Sequence, residues 1–207
     1  MRVRDLDAGA LGAWDSFVDA HEAGTFFHLS PWRGIFEQAL GHRAHYLYAE
    51  QDGAVCGVLP LVHVKSFLFG NNLSSLPFSA HAGPLAADDE ALTALYDAAS
   101  ARAQALQVGA LEYRLPAASN RARVTKDLYA NFTKTIHGDA EANMQAIRSK
   151  QRNVIRKGIK NGLVGHRSTV ERFYGVYAES VRNLGTPVFP RRLFDAIVAS
   201  FGDAVEI

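Results

Sequence analysis

The chain has 207 residues, 48% of them hydrophobic and 21% charged, and its formal net charge is +1. These proportions belong to a globular protein able to bury a full core, and the near-neutral charge argues against a dedicated nucleic-acid binder, which carries a large basic excess. The single cysteine, Cys56, excludes an intrachain disulfide framework and a multi-cysteine zinc site.

The N-terminus, MRVRDLDAGALGAWDSF, lacks the apolar stretch of a signal peptide. No run reaches the ~18 to 20 apolar residues that span a bilayer, so the chain reads as soluble and cytoplasmic. Residues 8–21 predict a first helix, because Leu11, Trp14, Phe17 and Val18 fall on one face. Ser30-Pro31-Trp32 predicts the start of a second, with Ser30 as N-cap and Pro31 at the first helical position. Trp32, Ile35 and Phe36 form its apolar stripe, and Gly41 ends it.

Strands follow. His45–Glu50 is rich in β-formers, and Asp52-Gly53 is a strong hairpin signal. Residues 54–64 are so continuously apolar that their strand is expected to be buried on both faces, with Cys56 as a small buried hydrophobe. Residues 73–78 predict a third strand, and SAHAGPLAADDE a loop. A helix over 89–107 begins among Asp88, Asp89 and Glu90, where its positive end favours acidic residues. Strands are expected at 110–115 and 131–135.

A helix from Asp139 to Gly162 carries the most unusual stretch of the chain, RSKQRNVIRKGIKNG. Six of the residues 148–160 are Lys or Arg and none is acidic. Arg148, Arg152, Arg156 and Lys160 are spaced by four and form one ridge, with Met144, Ile147, Val154, Ile155 and Ile159 expected to pack on the opposing side. Like charges at this spacing repel, so the ridge is either a solvated face or an anion site. Beyond it a short strand is expected at 163–167, helices at 169–184 and 190–201, and a strand opening at 204.

Two segments look alike. GTFFHLSPWRGIFEQALGHRAHYLY, from Gly24, and GTPVFPRRLFDAIVASFGDAVEI, from Gly185, each start Gly-Thr, pass a proline, open a helix and close on a glycine before a strand. This is the pattern of two copies of one domain, the second of them cut short.

Other residues carry alternatives. His81 is either a general base or a plain turn histidine. Glu112 and Arg114 share a strand face and either pair with each other or line a cleft. Trp32 is either core or part of a substrate groove. His42 and His45 have no carboxylate cluster near them in sequence, so no metal is expected.

The element order, together with TFFHLSPW, GVLPLVHVKSFLFG, SLPFSAHAGPL, KQRNVIRKGIKNGL and LGTPVFP, resembles the FemAB-like acyltransferase family, in particular its exosortase/PEP-CTERM-associated exopolysaccharide branch. The resemblance implies an α+β, GNAT-like fold: a mixed, mostly antiparallel sheet flanked by helices. It divides the chain into a first GNAT-like domain over 1–137, a basic connecting helix over 138–162 and the truncated start of a second GNAT-like domain over 163–207. It implies the N-terminal part of an acyl or aminoacyl transferase acting on an amine of a cell-envelope or exopolysaccharide precursor. A tRNA-binding module and a non-catalytic scaffold are the alternatives.

The resemblance places Lys150, Arg152, Arg156 and Lys157 on the phosphates of a small-molecule or lipid-linked acceptor, with aminoacyl-tRNA as the donor it suggests. Trp32, His81, Glu112 and Arg114 would line the groove. No catalytic residue is assigned and no cofactor is implied. The loop 79–83 departs from the glycine-rich turn of CoA-dependent GNAT enzymes, and Asp88–Glu90 would repel a pyrophosphate. A peripheral place at the inner membrane and a dimer formed through the second-domain segment complete the expectations.

Overall fold

The computed structural model describes residues 1–67, 70–117, 124–126 and 130–207. Its centre is one long strand. β3 (Ala54–Ser66) pairs antiparallel with β2 (Arg43–Gln51) on one side and with β4 (Gly70–Ser75) on the other. β1 (Arg2–Asp5) extends the sheet beyond β2, and β6 (Ala110–Glu112) lies parallel to β4 at the far edge. β5 (Leu85–Ala86) is a two-residue bridge onto β3. This is the mixed, mostly antiparallel sheet that the GNAT-like reading requires. β1 and β5 were not anticipated, because four and two residues are too few to show a period.

Residues Gly57–Leu61 and Val62 are buried without a break, as the apolar run predicts. Alternate side chains enter opposite cores. Val58 and Val62 join Tyr46, Trp14 and Ile35 beneath helices α1 (Leu11–Ala20) and α2 (Pro31–Ile35). Leu59 and Leu61 join Leu47, Leu73 and the Ala91–Leu95–Ala99 stripe of α3 (Asp89–Ala105). Asp52 and Gly53 both have positive φ, the geometry of the predicted tight hairpin. Cys56 departs from expectation and is only partly buried. Ala49 pairs with Gly57 and Glu50 with Val55, so Cys56 is the extra residue of a bulge and is turned off the regular alternation.

The second helix is shorter than its apolar stripe suggests. α2 passes at Phe36 into a π-helical turn, Phe36–Leu40, and stops at Gly41 in the left-handed region. Ser30 does not cap it. Its hydroxyl donates to Asp15 Oδ2 and its amide to Asp15 Oδ1, both at 2.7 Å, tying α2 to α1 instead. Trp14 is fully buried, stacks on Tyr46 at 5.2 Å and donates its indole N–H to the His28 carbonyl at 2.7 Å.

The C-terminal part differs more from the sequence reading. The helix expected over 139–162 is two helices, α4 (Ala140–Gln145) and α5 (Ser149–Lys160), with Arg148 extended at φ −58° and ψ 143°. Residues 131–135 form no strand, being exposed and irregular, and 163–167 and 204–207 form none either. Neither of the last two segments pairs with the sheet among the described residues, and they meet each other through Ser168 N–H to the Ile207 carbonyl at 2.6 Å and an Arg167–Glu206 ion pair. α6 (Val170–Asn183), capped by Thr169, and α7 (Arg191–Phe201) form as predicted.

α7 docks on the first part of the chain. Phe201 packs on Phe26 at 4.4 Å and on Trp32 at 5.6 Å, Phe189 meets Phe78 edge-on at 5.2 Å, and Arg192 donates to the Ala39 carbonyl.

The two Gly-Thr starts do different work. A Cβ on Gly24 would lie 2.0 Å from the Val18 carbonyl oxygen and 2.9 Å from that of His21, whereas Gly185 has open space but φ +70°. Gly24→Ala should therefore destabilise by about 2–3 kcal/mol, since backbone must move. Gly185→Ala should cost about 1 kcal/mol for the left-handed conformation alone. Chemical denaturation of both variants measures the order, and an equal loss would refute the close-approach assignment.

Candidate functional site

The cations of α5 stand in solvent. Lys150, Arg156 and Lys157 are exposed and Arg152 is half-buried. No acidic residue lies on the helix, and among the described residues none of its cations has a carboxylate partner. The expected four-member ridge loses Arg148, which precedes the helix in extended backbone. Of the expected packed side, Met144 and Ile147 before the helix are half-buried, but Val154, Ile155 and Ile159 are 67%, 36% and 64% exposed. Arg152 is engaged locally, because its Nη1 donates to the Gln145 carbonyl at 2.9 Å and so caps the last turn of α4 across the break. Lys150, Arg156 and Lys157 have no such bond among the described residues, so their charge is free for an anion.

A second cluster forms where β4 and β6 end. The Arg114 guanidinium meets Glu112 at 3.0 Å and donates to the Ser79 carbonyl at 2.9 Å. The Arg114 amide donates to Ser75 Oγ at 2.7 Å, and its carbonyl accepts from Ala82 N–H at 3.1 Å. The pairing alternative for Glu112 and Arg114 is therefore the one realised, and the pair fastens the loop 76–84 to the sheet. A Cβ on Gly83 would fall 2.4 Å from Leu115, so the loop lies hard against the residues following β6.

That loop is strained. Leu76 has φ 43° and Phe78 φ 68°, and neither is a residue type that favours the left-handed region. Phe78 is 56% exposed yet held, its ring parallel to that of Phe36 and edge-on to Phe189. Its exposure was not legible in the sequence, because a single backbone dihedral decides it. His81 sits in the same loop, half-buried, with Nδ1 shielded from solvent and unpartnered. Arg114 Nε is likewise without a hydrogen-bond partner, although it faces Glu112 at 3.0 Å as an ion pair.

Trp32 is 8% exposed and belongs to the core alternative. Its indole N–H donates to the Phe26 carbonyl at 3.0 Å, and its ring is enclosed by Phe26, Phe27, Phe36 and Phe201. The structure thus brings Glu112, Arg114 and His81 together around one loop, buries Trp32 behind the helices and leaves the α5 cations on a separate element. No hydrogen bond, ion pair or ring contact joins α5 to the loop among the described residues.

The N-terminus of α3, next to this loop, is already occupied. Asp88 accepts from Ala91 N–H at 2.7 Å, and Asp89 and Glu90 add like charge, so an anion is disfavoured there. Among the described residues no group of three or more His, Cys, Asp or Glu is placed to hold a metal. His45 is instead buried beside Arg102, whose Nη1 donates to its Nδ1 at 2.8 Å while Nη2 holds Asp5 at 2.9 Å.

The sequence reading missed His28. Nothing in FFHLS distinguishes a clamp from a surface histidine. It is buried, with Nε2–H donating to the Gly83 carbonyl at 3.0 Å and Nδ1 accepting from the Thr25 amide and hydroxyl. It therefore pins the 3₁₀ turn before α2 (Phe26–His28) to the loop. Burial pushes the pKa of His28 down to about 4, and burial followed by the Arg102 charge does the same for His45. Both rings are neutral in the fold, and the unfolded value is near 6.5. Their contribution to stability is complete above about pH 6.5 and is lost as pH falls through 6.5 toward 4. Denaturation between pH 7 and 5 should show stability falling by up to about 1.4 kcal/mol per pH unit for each ring. A flat profile would remove the neutral-ring assignment.

No family model matches the sequence, and no curated protein does. Among solved structures, FemX superposes over 99% of this chain with a TM-score of 0.66 at 17% identity. An aminoglycoside 6'-N-acetyltransferase from Acinetobacter haemolyticus matches 66% of the chain at 15% identity and TM-score 0.43. A GNAT family acetyltransferase from Staphylococcus aureus matches 65% at 11% and 0.40. The first of these covers only 56% of FemX, so this chain spans little more than half its length. No helix of the described residues is long and apolar enough to cross a membrane. The chain has the GNAT-like α+β fold that FemX shares.

Proposed function

We propose that this chain is the N-terminal part of a FemAB-like transferase that moves an acyl or aminoacyl group onto an amine of a phosphate-bearing cell-envelope or exopolysaccharide precursor. Residues 1–137 form a first GNAT-like domain, 138–162 a basic connection and 163–207 the opening of a second such domain. The observation that carries the reading is the run of solvent-facing, acid-free cations on α5, set in a chain that superposes on FemX from end to end. Lys150, Arg156 and Lys157 hold the acceptor's phosphates, and Arg152 supports them while fixing the angle between α4 and α5.

The rim of the groove is the loop 76–84, with Phe78 as an apolar shelf and the Glu112–Arg114 pair beneath it. Trp32 stiffens this wall from behind. Acyl transfer needs an amine freed of its proton and donors for the developing oxyanion. His81, half-buried in this loop, is the proton acceptor this half of the protein offers, reached through Nε2 because Nδ1 is shielded from solvent. Asp88–Glu90 at the α3 N-terminus favour a donor other than a coenzyme A thioester, and aminoacyl-tRNA fits that requirement.

Calorimetric titration with a nucleotide-diphosphate sugar tests the reading. Arg156→Glu with Lys157→Glu should weaken binding at least about tenfold, or about 1.4 kcal/mol, and should leave the thermal midpoint unchanged because both side chains are exposed. Arg2→Glu, exposed on the opposite sheet edge, is the control. Unchanged affinity in the double variant would remove the phosphate assignment. Tight tRNA binding with a steep salt slope and no sugar-nucleotide binding would favour the nucleic-acid module instead.

A further inference from the structure

α5 carries a second surface that the phosphate-binding reading does not use. At 3.6 residues per turn, Lys150, Arg152, Arg156, Lys157 and Lys160 cover an arc of about 160°, and Val154, Ile155 and Ile159 lie on the opposite side together with Gly158 and the polar Gln151. No residue of the helix is buried. The apolar side is therefore in water, and it continues past the helix in Leu163 and Val164, which are 73% and 72% exposed.

A helix with so polar an average composition and so sharp a division between faces is unstable as a free-standing element. Three exposed aliphatic side chains without a partner are unfavourable, and five like charges on the other side add repulsion. Further protein, such as the remainder of the proposed second domain, would cover the aliphatic side chains and leave the repulsion, whereas one environment relieves both at once. A bilayer surface accepts the aliphatic side chains at the headgroup boundary, while the long Lys and Arg stems reach up to headgroup phosphates. The absence of any acidic residue on the helix makes the match specifically one to a negatively charged leaflet. The helix has only 12 residues, far too few to span, so it must lie in the plane of the interface.

We propose that α5 is an in-plane membrane-docking helix that binds anionic lipid surfaces, with Val154, Ile155 and Ile159 inserted and the five cations at headgroup level. The Arg152 bond to the Gln145 carbonyl sets α5 at a fixed break from α4, so docking orients the rest of the chain over the bilayer. The proposal shares its cations with the proposed acceptor site but does not depend on that site, because insertion needs the apolar face and phosphate binding does not.

The test is co-sedimentation of the 207-residue chain with vesicles. Phosphatidylglycerol–phosphatidylcholine vesicles should pellet the protein and pure phosphatidylcholine vesicles should not. Raising the salt from 50 to 500 mM should reduce binding about tenfold or more, as charge screening demands. Val154→Gln with Ile159→Gln, which removes the apolar face and leaves the charge unchanged, should abolish pelleting with circular dichroism unchanged, since both positions are exposed, and should leave sugar-nucleotide affinity within about twofold of the parent. Failure to pellet with anionic vesicles overturns the proposal. So does pelleting that survives the double glutamine variant, which would show charge attraction without insertion. Loss of sugar-nucleotide binding with vesicle binding intact counts against the acceptor site alone and leaves the docking helix standing.

Discussion

The architecture hangs on a strand whose middle, Gly57–Val62, has water on neither side. β3 is hydrogen-bonded along both edges and covered on both faces, so every second residue is committed to a different core. A one-residue slip would exchange Val58 and Val62 with Leu59 and Leu61, moving each set to the wrong helices. Two features hold the register. The Asp52–Gly53 hairpin fixes β2 against β3, and the bulge at Cys56 absorbs the one extra residue between the turn and the buried run. Once β3 is fixed, α1 and α2 must lie on one face and α3 on the other. The loop 76–84 must then cross the end of the sheet, because it alone joins β4 to the α3 side.

The loop is held in place by contacts from three directions. Arg114 binds it from the β6 side, His28 from the turn before α2, and Phe36 and Phe189 hold Phe78 from the π-helical turn after α2 and the segment before α7. Two non-glycine residues at positive φ would relax without that surrounding structure. A rigid, partly apolar rim of this kind suits a binding wall, since little ordering is left for a ligand to impose. The aromatic seam of Phe26, Trp32 and Phe201 extends the same rigidity to α7. By contrast α5 is tied to the rest by its break from α4 and by little else. The chain therefore combines a stiff domain with an amphipathic helix that the described residues leave uncovered.

The elements read most reliably from the sequence are those whose neighbours are local or whose pattern is long. The 54–64 run announced a doubly covered strand, Asp-Gly its hairpin, and Asp88–Glu90 the start of α3, because each depends on backbone dihedrals or on helix charge within a few residues. α6 and α7 were legible for the same reason, with a capping threonine before one and a proline before the other. The pairing of Glu112 with Arg114 was visible as two residues on one strand face. The cation run on α5 was visible as composition alone.

Tertiary structure decided the rest, and the physical reason is the same in each case: competition for a partner distant in sequence. Ser30 has the chemistry of an N-cap, but Asp15 on α1 takes its hydroxyl and its amide. Trp32 could have lined a groove, but Phe201, 169 positions later, closes over it. The 131–135 and 163–167 segments have strand-forming residues but are not brought alongside the sheet among the described residues, and they stay irregular. His28 looks like any surface histidine until Gly83 is brought to its Nε2. The sequence by itself determined the periodicities, turns and charges of each element, because those are properties of neighbouring residues. Only the tertiary structure decided which polar groups found partners, which rings were covered and that the apolar side of α5 was left in water, because those outcomes depend on what else the fold brings within reach.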